Sequence, residues 1–147
     1  MAIQKLAHYS IRTYDLEASR RFYTQVLGFR EGYRPPFPFP GLWLYLSDDQ
    51  AEYGTVHLIG IDPKDPKGLI DYLGDKSPED LNGTGTVDHI GFAASGVEEM
   101  RGRLRSKGIE FRERTVPSLA LHQLFLTDPS GVTIELNYPA AEVQAVG

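Results

Sequence analysis

The chain has 147 residues, 41% apolar and 24% charged, with a formal net charge of −5 and no cysteine. Those values suit one soluble globular domain, or two small halves sharing a core, and they exclude disulfides and thiolate metal sites. The acidic balance argues against a general nucleic-acid binder, and no apolar run approaches the roughly 20 residues of a membrane span.

The opening MAIQKLAHYS carries one lysine and no long apolar stretch, so it does not read as a signal peptide, and a cytoplasmic protein is the expectation. LAHYSI (6–11) reads as a strand with His8 inside it. TYDLEASRRFYTQVLGF then places Leu16, Phe22, Tyr23, Val26 and Leu27 at helical spacing, with Asp15 able to cap the start and Gly28 the end. GYRPPFPFPG (32–41) is kept out of a sheet by its prolines. Its two phenylalanines, followed by Trp43, suggest a lid or wall over an apolar substrate. LWLYLSDD (42–49) and GTVHLIG (54–60) read as strands, the second with His57 between apolar neighbours. Residues 62–86, rich in Pro, Gly, Asp and Lys, read as a connector with one short helical turn at LIDYL.

The second half repeats the order. VDHIGFAA holds His89 in a strand, and SGVEEMRGRLRSKGIEF reads as a helix, with Ser95 and Glu98 as a possible capping box and Gly108 as its stop. The basic clusters RRFYTQ and RGRLRSK read as solvated helix faces. HQLFLTDP (122–129) parallels 42–49, and GVTIELNY (131–138) parallels 54–60 with Glu135 in the place of His57. Each half is therefore strand, helix, three strands: module one over about 4–61, module two over about 87–138. The expected fold is α+β, two tandem βαβββ modules, all within one domain of 1–147. His8, His57, His89 and Glu135 occupy four equivalent places. A polar group in an apolar strand is costly to bury unless it is paired or coordinating, so a shared metal is the joint reading. Imidazole and carboxylate suit Zn, Ni, Co, Fe or Mn.

On these residues the chain resembles the vicinal oxygen chelate superfamily, which includes glyoxalase I, extradiol dioxygenases and bleomycin resistance proteins. FLTDPSGVTIEL is similar to the family's closing motif. His8, Asp15, Phe22-Tyr23 and Leu27-Gly28-Phe29 match its opening. The resemblance implies that the two modules form a curled mixed sheet around a metal site, that His8, His89 and Glu135 are ligands of one divalent metal there, and that His57 stands at the fourth ligand position. It implies a lyase or isomerase that chelates a substrate through two neighbouring oxygens, with Glu135 as base abstracting an α-proton. With three ligands only, a non-haem Fe(II) dioxygenase is the alternative; a binding protein of the bleomycin resistance type is the second.

Strand alternation puts Arg12 on the face of His8 and Ser10. The resemblance makes Arg12 a substrate-binding residue, at the spacing where glyoxalase I carries an Arg for a substrate carboxylate, and Trp43, Tyr45, Gln123 and Phe125 pocket residues. Trp43 is taken as the counterpart of Gln123, and Tyr45 of Phe125. Ile61 stands where glyoxalase I enzymes carry an Asn, and Phe125 where ring-cleaving dioxygenases carry a Tyr. His122 points away from the metal by alternation. A small-molecule substrate and a homodimer, with metal ligands from one chain or from two, complete the expectation; no nucleic-acid or membrane partner is expected.

Overall fold

The computed structural model describes residues 6, 8–46, 54–74, 77–81, 83, 87 and 89–144. The chain divides into two compact units, Met1–Gly83 and Thr84–Gly147. The first contains β1 (Tyr9–Thr13), α1 (Leu16–Arg21), β2 (Arg30–Gly32), β3 (Gly41–Tyr45), β4 (Val56–Gly60) and α2 (Lys67–Leu73). The second contains β5 (His89–Ala93), α3 (Val97–Ser106), β6 (Arg112–Val116), β7 (Leu121–Thr127), β8 (Thr133–Pro139) and α4 (Ala141–Gln144). Their sheets have the same plan, β1-β4-β3-β2 and β5-β8-β7-β6. In each, the first and last strands pair in parallel and the other pairs are antiparallel. The α+β architecture of two βαβββ modules is thus observed.

Asp15 caps α1 as expected, its Oδ1 accepting from Ala18 N at 2.9 Å. The expected single amphipathic helix is composite: α1 passes into a wider π-turn over Phe22–Val26, closed by Leu27 N donating to Phe22 O. Gly28 then turns the chain at φ 85°, a left-handed backbone that a β-carbon strains. Phe22, Tyr23, Val26 and Phe29 are buried from this segment, with Tyr23 set edge-on to both Phe22 and Phe29. The cap of α3 departs from expectation. Its N-cap is Gly96 in the left-handed region with no side-chain cap, so the Ser95–Glu98 box does not form; Glu142 Oε1 accepts from Gly96 N instead.

The connector is more than a spacer. Residues 67–73 form α2, and Leu69 and Leu81 pack with Ile61, Phe39, Ile59 and Ile70. Arg12 Nε donates to Leu81 O at 2.7 Å, tying this segment to β1.

The closing motif is a turn that sets strand register. Asp128 is buried; its Oδ1 accepts from Ser130 N and Val132 N, each at 2.8 Å, and Gly131 adopts φ 88°. Asp128→Ala leaves two backbone donors without their acceptor. It is expected to cost roughly 1–3 kcal/mol, measured as a lower urea or thermal midpoint, since orphaned buried donors carry that penalty. An unchanged midpoint would show that water replaces the carboxylate.

Candidate functional site

The pairing registers define the site more closely than the sequence repeat does. In the first module Ser10 lies opposite His57, and His8 stands two residues before Ser10. In the second Gly91 lies opposite Glu135, and His89 stands two residues before Gly91. The four candidate ligands therefore occupy identical lattice positions, one pair per module.

The pairs are close. The His8 and His57 rings stack at 4.0 Å between centroids, and Trp43 stacks on the other side of His57, also at 4.0 Å and within 4° of parallel. His57 is thereby held rigid in a three-ring stack, 8% exposed. In the second module His89 Nε2 and Glu135 Oε2 are 2.8 Å apart. Two ligands held at right angles, about 2.1 Å from one ion, lie about 3 Å from each other, so this spacing fits a metal-binding pair. Glu135 Oε1 accepts from Gln123 Nε2 at 2.6 Å, and Gln123 Oε1 accepts from Arg114 Nε at 2.7 Å. Outer partners of this kind orient a ligating carboxylate. Among the described residues no group of three His, Asp or Glu side chains gathers in one place.

The same registers correct the proposed counterparts in the third strands. Trp43 faces His57 and Phe125 faces Glu135, so Trp43 corresponds to Phe125, and Gln123 to Gly41. The two halves differ in spacing, 14 positions from Trp43 to His57 but 10 from Phe125 to Glu135, so aligning the Ser/Thr-Asp strand ends slips the match by two. Tyr45 lies away from the ligands; its hydroxyl donates to Tyr33 O at 2.7 Å, and its ring covers Gly32. Phe125 lies beneath the guanidinium groups of Arg112 and Arg114.

A cavity of about 320 Å³ in the first module is lined by His8, Ser10, His57, Trp43 and the aromatic rings of the proline loop and α2. Arg12 is not among its lining residues. Arg34, from the proline loop, is; nothing in the repeat pattern singled it out, although its place just ahead of Pro35-Pro36 and Phe37 was visible. A larger, shallower hollow in the second module, about 540 Å³, runs from Ile109 to Arg112 and across Phe125 to Thr133, and neither His89 nor Glu135 lines it.

His122, the fourth histidine, is buried on the opposite face of β7. Its Nε2 contacts Glu113 Oε2 at 2.7 Å and its Nδ1 meets Thr115 Oγ1 at 2.9 Å, while Arg101 of α3 pairs with the same Glu113 oxygen. Burial raises the Glu113 pKa, but hydrogen bonds from Arg101 and His122, together with their charges, outweigh it and hold the carboxyl below its usual range. This network fastens α3 to the sheet and has no part in the ligand set.

The fold is a duplicated βαβββ architecture in which two pairs of candidate ligands hold equivalent places. The chain belongs to the Glyoxalase/Bleomycin resistance protein/Dioxygenase superfamily, whose sequence model matches residues 5–136. It is 29% identical to the lactoylglutathione lyase of Schizosaccharomyces pombe across 92% of its own length; it spans about half, 48%, of that relative. A glyoxylase/bleomycin resistance protein/dioxygenase domain from Frankia sp. EAN1pec shares the fold with a TM-score of 0.67 at 19% identity, covering 94% of this chain and 93% of the other. TnmS3, an antibiotic binding protein from Streptomyces sp. CB03234, does so with a TM-score of 0.62 at 21% identity, covering 95% and 98%. No helix of the described residues is long and apolar enough to cross a membrane.

Proposed function

We propose that the protein is a metal-dependent lyase or isomerase of the glyoxalase I type, in which His8 and His57 of one module and His89 and Glu135 of another hold one divalent ion. The observation that carries this reading is the shared register: both pairs sit at the same lattice points of two modules, and each pair is in contact. The resemblance to a lactoylglutathione lyase supports it. When bound, the ion supplies Lewis acidity to two neighbouring oxygens of a substrate.

The chain's own residues do the rest. Gln123 holds Glu135 Oε1 and leaves Oε2 to take a proton from the carbon beside the substrate carbonyl and return it to the neighbouring carbon. Trp43 keeps the His57 ring from turning. The aromatic wall of the cavity excludes water from the reacting end.

The test is elemental analysis of protein purified without added metal, with His89→Ala alongside. About one Zn, Ni, Co or Mn per site, lost in the variant and without oxygen uptake, is the expected result. Iron with oxygen uptake would instead assign the chain to the dioxygenases. The aromatic cavity favours a second reading, a binding protein for an unsaturated compound. Tight binding with no turnover and no bound metal would select that one.

A further inference from the structure

Registers equate Arg34 with Arg114. Counted outward from Trp43 and Phe125, Gly32 corresponds to Arg112, and two residues on, Arg34 corresponds to Arg114. Their surroundings differ. Arg114 faces Gln123 and gives its Nε proton to that side chain. Arg34 faces Gly41, where no side chain exists to accept it; a β-carbon built there would meet the guanidinium at 2.9–3.0 Å. Arg34 instead gives one hydrogen bond to Phe39 O at 2.9 Å and lies over the rings of Phe37 and Phe39, at 4.9 and 5.3 Å.

An arginine placed this way is an anion receptor in waiting. Its fork has five N–H donors. One is used by Phe39 O, and no carboxylate among the described residues pairs with the group. Burial lowers its pKa with nothing offsetting that loss of hydration. The group also lines the cavity that His8 and His57 line. Phe37, Trp43 and Tyr72 form the walls there, with Phe37 5.5 Å from Tyr72 and 6.3 Å from Trp43. At about 320 Å³ there is room for one ring with a short side chain.

We infer that this cavity takes a small aryl carboxylate, with its ring among Phe37, Trp43 and Tyr72 and its carboxylate on the Arg34 guanidinium. This deepens the proposed function, and it rests on that reading only for the chemistry that follows binding. Arginine matches a carboxylate with two parallel N–H bonds, and the aromatic walls favour a flat body over an aliphatic one.

The test is calorimetric titration of the full chain with benzoylformate, its methyl ester, pyruvate and inorganic phosphate, on metal-stripped and metal-loaded protein. Trp43 is the only tryptophan of the chain, so its emission reports whether the cavity is the place of binding. Benzoylformate is expected to bind more tightly than the other three. Arg34→Met should raise its Kd roughly ten- to a hundredfold, as hydrogen bonds to a charged group imply, and leave the methyl ester within about twofold. Phe37→Ala should weaken benzoylformate and the ester alike and leave pyruvate unaffected. Arg34→Lys, which keeps the charge and loses the fork, should fall between wild type and Arg34→Met. Benzoylformate binding unaltered in Arg34→Met, phosphate or pyruvate binding as tightly as benzoylformate, or no binding by wild type would each overturn the inference. An Arg34 effect that persists in a protein that takes up no metal would remove the metal reading alone. Metal uptake without an Arg34 effect would remove this inference alone.

Discussion

Glu135→Gln is expected to lower kcat by roughly 10²–10⁴-fold, the range general base catalysis supplies, while substrate binding changes little. The amide keeps the shape of the side chain and its oxygen, so the hydrogen bond from Gln123 Nε2 survives and the strand geometry is undisturbed. What is lost is a basic oxygen on the side where Oε2 now meets His89. Two readouts separate this from a structural effect. Metal content, measured alongside, separates loss of the base from loss of the ion. Exchange of the substrate α-hydrogen with deuterated water, followed by NMR, should slow as much as turnover does. Turnover unchanged with metal still bound would remove Glu135 from the role of base and leave it a ligand only.

The second large effect is recovery of activity from two dead proteins. If the working unit is a dimer with sites shared between copies, His8 and His57 come from one chain and His89 and Glu135 from the other. His8→Ala and Glu135→Ala are then each inactive alone. After subunit exchange, half the dimers are mixed, and each of those has one intact and one doubly broken site. About a quarter of wild-type activity should therefore return, given two equivalent sites in a two-fold dimer. No recovery despite exchange demonstrated by mass spectrometry would mean that each site is built within one chain.

Much of this architecture was legible before any coordinates. His8 and His89, the capping Asp15 and the positive-φ glycines Gly28 and Gly108 mark the repeat through local chemistry, although β1 opens at Tyr9 and leaves His8 just before the strand expected to contain it. The opposition of Ser10 to His57 and of Gly91 to Glu135 could not be read, because register depends on how strands meet, and composition does not encode it. The two-residue slip that linked Trp43 with Gln123 came from the same gap. Ser95 looked like a cap because of its type and its spacing to Glu98, yet Gly96 reaches a backbone conformation that lets Glu142 bind its N–H. Arg34 was hidden for a different reason. What distinguishes it is the empty position at Gly41 across the strand pair, which is a property of two residues seven apart in sequence and adjacent in space.

The clamp between Arg12 and Leu81 has a consequence for assembly. With Leu69 and Leu81 in the first core, the chain left between Leu81 and β5 is 82–88, seven residues, where the whole connector at 62–86 has 25. Seven residues reach at most about 25 Å when fully drawn out. A tether that short gives a chain's own second module an effective concentration in the millimolar range wherever it can reach, and almost none where it cannot.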